Sequence, residues 1–180
     1  MRARYVQVEK AGAPLKLVTR EIPEPSVGEV RVRVEACGVC HSDSVTVAGL
    51  FPFVSYPRVP GHEIVGRVDS VGKDVPQWRA GQRVGIGWYG GHCGRCEPCR
   101  RGDLVACQNS LIPGVTYDGG YADYVVAPAE ALGLRTVSSS SQERDNVCDD
   151  HLEIGRFREG DSTSSRALTA FEEQRNHGCS

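Results

Sequence analysis

The 180-residue chain lacks any apolar run near the roughly 20 residues that a bilayer-spanning helix requires. Its first residues, MRARYVQVEK, lack the apolar core of a secretory signal peptide. It also lacks a basic excess: 21 Lys and Arg stand against 23 Asp and Glu, which argues against nucleic acid and anionic membranes as partners. We therefore expect a soluble cytoplasmic protein, a compartment in which thiols stay reduced.

Cysteine, by contrast, is plentiful. Four of the eight cysteines lie in CGRCEPCRRGDLVAC, and their spacing lets four sulfurs converge on one tetrahedral Zn²⁺. The sequence thus predicts a closed, structural zinc site made by Cys93, Cys96, Cys99 and Cys107. The alternative, free or disulfide-bonded thiols, is disfavoured in a reducing compartment. The charged neighbours Arg95, Arg100 and Arg101 either offset thiolate charge or form a solvated face.

Short alternating segments, punctuated by Gly and Pro, predict a mainly β domain. In GEVRVRVEA, Val30, Val32 and Val34 share one face, which is the period-2 pattern of a half-buried strand. Other candidate strands are RYVQVEK, LKLVTREI, EIVGRVDSVG, QRVGIG and YADYVVAP. Strands this short and closely spaced favour a partly closed barrel. CHSDSVTVAG is a candidate helical turn, capped by Ser42 or Asp43.

Residues 134–180 differ in character. They are rich in serine and charge, have few apolar residues and contain no lysine. Such a segment buries too little surface to offset the entropy of ordering it. We expect a largely irregular, disordered tail with SSRALTAFEEQR as its only plausible helix.

Two further motifs accompany the cysteine loop: CGVCHSD, and VPGHEIVG with its adjacent His62 and Glu63. Together with GQRVGIGW and GGYADYVV, in this order, they resemble the zinc-dependent medium-chain alcohol dehydrogenases over residues 5–130. The resemblance implies a GroES-like catalytic domain over residues 1–133, with its zinc lobe at 90–110. It further implies NAD(P) as cofactor and a small-molecule alcohol or aldehyde as substrate; homo-oligomerisation is open.

The same resemblance implies roles for four residues around a catalytic zinc. Cys40 and His62 correspond to ligands of an ion that lowers the pKa of a bound alcohol. Ser42 corresponds to the hydroxyl that takes the alcohol's proton. Asp43 corresponds to the carboxylate that fixes the ring of His62 by hydrogen bonding.

The remaining implied roles are less specific. Glu63 would lie behind the metal, tuning its field or acting as a transient ligand. His41 falls where family members contact the cofactor pyrophosphate, although a solvent-facing histidine is the alternative. The candidates for the substrate-pocket wall are Phe51, Trp88 and Tyr89, which as lone aromatics could equally be packing.

Two departures from the family pattern limit the expected activity. No histidine occurs at Ser44–Thr46 to extend a proton relay beyond Ser42. After residue 133 nothing resembles the family's Rossmann domain, and GIGWYGG leads into the cysteine loop and not into a helix. Cys148 lies near the chain distance of the third zinc ligand but in an unfamiliar context, which suggests a frameshifted tail.

We therefore expect a catalytic-domain portion that is inactive without a nucleotide-binding domain. The main alternative is a non-catalytic remnant that retains the fold and the structural zinc. A zinc-ribbon interaction or nucleic-acid module would explain the cysteine loop only. A hydrolase is disfavoured because the sequence has no G-x-S-x-G elbow.

Overall fold

The computed structural model describes residues 1–134. The expectations for the tail, including those for Cys148 and the SSRALTAFEEQR segment, lie outside the described residues. Within the described part, the mainly β architecture predicted from the sequence is confirmed. None of the described helices is long and apolar enough to cross a membrane.

Seven strands form two antiparallel sheets. The smaller sheet pairs β1 (Arg2–Val8) with β2 (Leu15–Glu21). The larger has the order β6-β3-β4-β5-β7, with these members: β3 Glu29–Cys37, β4 Ile64–Val71, β5 Arg83–Ile86, β6 Tyr124–Pro128 and β7 Leu132–Leu134. Two helices are short, α1 (His41–Ala48) and α2 (Glu97–Arg100).

The valine alternation in β3 points into the main core, as predicted. Val30, Val32 and Val34 are buried, and they pack with residues of β4, β5 and β6 in one hydrophobic cluster. A second cluster joins β1 to the segment before β6 through Tyr5 and Tyr121. The partly buried side chain of Cys37 packs against both clusters. The end of β3 is therefore anchored on both sides just before α1 begins.

The predicted cap of α1 is wrong in detail. The N-cap residue is Cys40, with extended φ and ψ angles, and neither Ser42 nor Asp43 occupies that position. Asp43 is the third helical residue, and its carboxylate accepts the backbone N–H of Cys40 at 3.0 Å. The physical reason is the capping-box arrangement, in which the acid at this position reaches back to the N-cap N–H. The helix ends at Gly49, whose φ of 77° is left-handed.

Three short elements were not predicted: the four-residue α2, the 3₁₀ helix Ala129–Ala131 and the three-residue β7. All three are too short to show a period in the sequence. The glycines of GIGWYGG lie at the end of β5 and in the loop after it, and α2 begins only at Glu97. This agrees with the expectation that the motif is not a dinucleotide-binding turn.

Candidate metal centres

Two groups of potential metal ligands occur among the described residues. One is the predicted set Cys93, Cys96, Cys99 and Cys107; the other consists of Cys40, His62 and Glu63. In each group the ligand atoms all lie within 4.8 Å of one another. All six described cysteines are free, so the disulfide alternative does not hold for the four-cysteine loop.

The four-cysteine group fits a tetrahedral ion. Its sulfur–sulfur separations include 3.4 Å for Cys96–Cys99, 3.6 Å for Cys93–Cys107 and 3.9 Å for Cys96–Cys107. Zinc–sulfur bonds of about 2.3 Å in a tetrahedron place the sulfurs about 3.8 Å apart. The donor set leaves no open position, which is typical of a structural site and not of a catalytic one.

Backbone N–H groups, more than arginine side chains, stabilise the thiolates of this loop. Backbone N–H groups of Arg95 and Cys96 lower the pKa of Cys93 to about 5. The N–H groups of Cys93 and Asn109 each lie 3.3 Å from the Cys107 sulfur. Arg101 instead pairs with Glu97 at 3.1 Å on the exposed surface. The arginines of the loop are exposed, as the solvated-face alternative expects.

The second centre is assembled from the start of α1 and the turn before β4. Cys40 precedes α1, whereas His62 and Glu63 directly precede β4. Gly61, before His62, has a φ of 100°, and a Cβ there would lie 2.7 Å from the Tyr121 ring. Glycine is the residue that adopts such an angle at low cost. The Pro-Gly turn thus lets His62 approach Cys40 from a distant part of the chain.

Ser42 lies between the two metal-ligating candidates. Its hydroxyl is 3.2 Å from the sulfur of Cys40 and 3.3 Å from Nε2 of His62. The hydroxyl of Thr46 is directed back to the Ser42 carbonyl at 3.4 Å. The hydroxyl of Ser44 likewise bonds to the His41 carbonyl, at 2.6 Å. Neither residue extends a hydroxyl chain from the Ser42 side chain.

Asp43 is the organising carboxylate of this centre and is only 2 % exposed. Its Oδ1 lies 3.3 Å from Nδ1 of His62 and accepts the backbone N–H of Gly61 at 3.0 Å. Its Oδ2 accepts the Cys40 N–H at 3.0 Å and the Tyr121 hydroxyl at 2.8 Å. With Nδ1 directed at Asp43, Nε2 of His62 is the ring nitrogen that faces Ser42.

The environment of the Glu63 carboxylate is the feature of this centre that best fits a bound cation. Oε2 of Glu63 is buried, and it has no hydrogen-bond partner among residues 1–134. A buried carboxylate oxygen without a partner is costly, and a metal ion is one of the few groups that can satisfy it. A thiol, an imidazole and this carboxylate form a donor set suited to Zn²⁺. The residues present therefore fit the metal that the resemblance implies.

The local electrostatics shift the pKa values of Cys40 and His62. Burial raises the pKa of the Cys40 thiol, but hydrogen bonds from Ser42 and the neighbouring His62 outweigh burial and lower that pKa overall. Burial lowers the pKa of His62, whereas Asp43 and Cys40 raise it, and the net direction is upward. Each of these two side chains thus favours the charged form of the other.

The aromatic candidates divide into two groups. Trp88 meets the His62 ring edge-on, with centroids 4.9 Å apart, and Phe51 lies 6.2 Å from Trp88. Tyr89 instead stacks on His92 and bonds to its Nδ1. Phe51 and Trp88 therefore border the second centre, whereas Tyr89 is paired with His92, which directly precedes Cys93. His41 is exposed at the first position of α1.

Sequence reasoning missed two contributors. Asn109 donates to sulfurs of the four-cysteine loop, and Tyr121 donates to Asp43. Asn109 follows the last cysteine by two residues, a spacing that could have suggested an N–H···S contact. Tyr121 lies 78 residues from Asp43, and no local pattern signals that contact. Cys148 lies outside the described residues.

Comparison with known proteins identifies relatives of this arrangement. Residues 26–135 match the family described as the alcohol dehydrogenase GroES-like domain. Alcohol dehydrogenase patD of Aspergillus clavatus is 49 % identical over 123 residues, covering 68 % of this chain and 31 % of patD. The starvation-sensing protein RspB of Escherichia coli is 47 % identical over 127 residues, covering 71 % of this chain and 37 % of RspB.

A solved structure shares the fold. The cobalt- and zinc-bound thermostable alcohol dehydrogenase of Pyrobaculum aerophilum has a TM-score of 0.68 and 34 % identity, covering 74 % of this chain and 41 % of its own. The chain thus spans between three and four tenths of the length of the curated relatives named above.

Proposed function

The chain belongs to the family of the alcohol dehydrogenase GroES-like domain, and from this premise we propose that it is the catalytic-domain portion of a zinc-dependent alcohol dehydrogenase. Such an enzyme interconverts alcohols and aldehydes with NAD(P). The observation that carries the proposal is the convergence of Cys40, His62 and Glu63 within 4.8 Å, beside a hydroxyl in contact with the first two.

Two zinc ions are proposed, with different roles. Cys93, Cys96, Cys99 and Cys107 would hold a structural ion, because four thiolates close its coordination sphere. Cys40 and His62, completed by Glu63, would hold a catalytic ion. When bound there, zinc would lower the pKa of an alcohol hydroxyl so that it loses its proton near neutral pH. Cys148 is the less favoured third ligand.

The second site should be the weaker one. Its donor set has one thiolate, one imidazole and one carboxylate, against four thiolates in the cysteine loop. We expect a mild chelator to remove this ion while sparing the ion in the cysteine loop. Two zinc ions of equal affinity would contradict this expectation.

Ser42 is proposed as the first proton acceptor for the substrate hydroxyl. Its Oγ lies within 3.3 Å of both ligand side chains, so a substrate oxygen near the metal would be within its reach. Because Ser44 and Thr46 bond to backbone carbonyls, the proton would pass from Ser42 to solvent. Phe51 and Trp88 are proposed to border the substrate.

Hydride transfer would require the nicotinamide carbon to be held about 3–3.5 Å from the substrate carbon. The described residues contain no parallel βαβ unit, since their sheets are antiparallel. We therefore propose that the chain alone is inactive and that a separate nucleotide-binding domain would be needed. His41, exposed at the start of α1, is the proposed contact for the cofactor pyrophosphate.

We also propose a domain boundary, a cellular location and the kinds of partner for the chain. The catalytic domain would end near residue 133, and the atypical tail expected after it lies outside the described residues. Thiolate ligands favour a reducing compartment, which supports a cytoplasmic location. Neither nucleic acid nor membrane is proposed as a partner, and homo-oligomerisation is a candidate property.

A fusion would test the function. Residues 1–133 would be joined to the nucleotide-binding portion of RspB, and primary and secondary alcohols would be supplied with NAD⁺ or NADP⁺. We expect reduced cofactor to form with the fusion, and not with its Cys40→Ala variant or with the 180-residue chain alone. Turnover by the unfused chain would refute the proposed inactivity.

A non-catalytic remnant is the second candidate. It would retain zinc at the cysteine loop and would bind only one equivalent of metal. The buried, unpartnered Oε2 of Glu63 argues against it, because a remnant has no reason to maintain this costly group. A zinc-loaded fusion without turnover, carrying one zinc ion per chain, would favour the remnant.

A further inference from the structure

We propose that Tyr121 is a positioning residue of the Cys40–His62–Glu63 centre, which it controls through Asp43. The inference rests on the proposed function, since it concerns the same metal centre. Among the described residues, the Tyr121 hydroxyl makes no hydrogen bond to the three ligand candidates and donates to the Asp43 carboxylate.

Tyr121 is held rigidly in place. Its side chain is fully buried, and its backbone N–H donates to the Pro60 carbonyl at 3.1 Å. Its ring packs so closely against Gly61 that a Cβ there would lie 2.7 Å from Cδ1. Tyr121 therefore packs against and stabilises the turn that carries His62, in addition to its hydrogen bond to Asp43.

The hydroxyl completes the hydrogen bonding of Asp43. A carboxylate offers about four acceptor positions, and those of Asp43 are used by the N–H groups of Cys40 and Gly61, the His62 ring and the Tyr121 hydroxyl. Of the two donors to Oδ2, the hydroxyl is the closer, at 2.8 Å. A carboxylate with every acceptor position filled is fixed in orientation.

The fixed carboxylate then orients the imidazole. Oδ1 faces Nδ1 of His62, which keeps the proton on that nitrogen and leaves Nε2 facing Ser42 and Cys40. Burial raises the pKa of the Tyr121 phenol, and the neighbouring Asp43 raises it further, so the hydroxyl remains a donor at any physiological pH. Tyr121 thus belongs to a chain of contacts that selects the ligating nitrogen of His62.

Tyr121→Phe removes one oxygen atom and keeps the packed ring. Oδ2 of Asp43 would then retain only the Cys40 N–H, inside a site that solvent does not reach. The carboxylate could rotate or accept a different donor, and Nδ1 of His62 would lose its fixed partner. Partners that orient a ligating histidine are worth about 10–100-fold in metal affinity; for this more distant residue we expect about tenfold.

The experiment uses the full 180-residue chain loaded with zinc and a stepwise chelator titration. The first zinc released reports the Cys40–His62–Glu63 centre, and the second reports the four-cysteine loop and hence the integrity of the fold. Tyr117→Phe is the matched control, because Tyr117 is a partly buried tyrosine whose hydroxyl bonds to the Gly90 carbonyl at 3.3 Å and not to Asp43.

A second readout needs no metal in the Cys40–His62–Glu63 centre. Long-range ¹H–¹⁵N spectra of the stripped chain report which ring nitrogen of His62 carries the proton when the ring is neutral. We expect the Nδ1–H form in the parent and in Tyr117→Phe, and a mixture of both tautomers in Tyr121→Phe. A purely structural role for Tyr121 would not alter this signature.

The expected result is an approximately tenfold weaker first zinc in Tyr121→Phe, with the second zinc unchanged and the tautomers mixed. An unchanged first zinc together with an unchanged tautomer would overturn the inference. Equal losses at both zinc sites would also overturn it, because they indicate general destabilisation. If the parent binds only one zinc, the proposed function fails, whereas the tautomer comparison still decides whether Tyr121 positions His62.

Discussion

Gly38 and Glu63 face each other so closely that a Cβ on Gly38 would overlap the Glu63 carboxylate. The two residues are also joined by a backbone hydrogen bond of 2.9 Å from the Gly38 N–H to the Glu63 carbonyl. The missing side chain at position 38 therefore provides the space in which the unpartnered Oε2 of Glu63 is held near Cys40 and His62.

Gly38→Ala is therefore expected to displace the Glu63 carboxylate from the centre. Overpacking of this kind costs about 1–3 kcal/mol of stability, and the first zinc should be lost at lower chelator concentration. Zinc content after chelation, measured by atomic emission, checks the expectation. Gly133→Ala is the control, because a Cβ there meets nothing within 4 Å. Identical zinc retention by the two variants would contradict the argument.

Asp43→Asn should be more damaging than its small change in shape suggests. Asparagine keeps one acceptor oxygen, and its NH₂ replaces the other. If the NH₂ takes the place of Oδ2, the Cys40 N–H and the Tyr121 hydroxyl lose their acceptor. If it takes the place of Oδ1, the Gly61 N–H and Nδ1 of His62 lose theirs. Leaving buried donors unmatched costs about 1–3 kcal/mol, and the zinc affinity of the centre should fall about 10–100-fold. Denaturant unfolding and chelator titration measure the two effects.

Asp123→Asn provides the comparison for that variant. Asp123 forms a bidentate pair with Arg4, but the Arg4 side chain is 45 % exposed. Exposed pairs contribute about 0–1 kcal/mol, so stability should change little and neither zinc should be affected. An equal loss of zinc in both variants would show that Asp43 has no special role.

Cys96→Ser tests the four-cysteine loop. Because metal-binding free energy contributes directly to folding of such a lobe, we expect zinc content to fall by about one equivalent and the loop to become sensitive to protease. Cys37→Ala removes a thiol that lies in the core and outside both metal groups, and it should keep both ions. An unchanged zinc content in Cys96→Ser would refute the site.

Local patterns in the sequence were sufficient for much of this fold. The valines of β3 alternate with charged residues, and the four cysteines of the loop are close in the chain. The buried face of β3 and the clustering of the four sulfurs were therefore predictable, whereas the zinc ion itself stays a prediction. The strand β7 and the helix α2 were missed because three or four residues show no period. The cap of α1 was misassigned because serine and aspartate are common caps, whereas here a cysteine has that position.

The second centre depends on contacts that no local pattern encodes. The resemblance suggested Cys40, His62 and Asp43, yet the Tyr121 hydroxyl, the space at Gly38 and the backbone N–H of Gly61 become visible only when β4 and the segment before β6 are brought together. These are tertiary contacts between residues 18 to 78 positions apart. Their energies depend on burial, which sequence spacing does not specify.

Fluorescence offers a direct report on the second centre, because the chain has two tryptophans in different settings. Trp88 is 43 % exposed and lies edge-on to His62, whereas Trp78 is buried and donates its indole N–H to the Ala129 carbonyl at 2.8 Å. An open-shell ion bound by His62 should quench Trp88 and leave Trp78 largely unaffected.

The measurement begins with zinc in the cysteine loop and an emptied second centre, to which Co²⁺ is added. We expect Co²⁺ to quench the parent and Trp78→Phe, whereas Trp88→Phe should show almost no change. Zn²⁺, which has a filled d shell, should compete with Co²⁺ and restore the emission without quenching it. Cobalt-dependent quenching that persists in Trp88→Phe would mean that the ion binds elsewhere, since the remaining indole is packed in the main core.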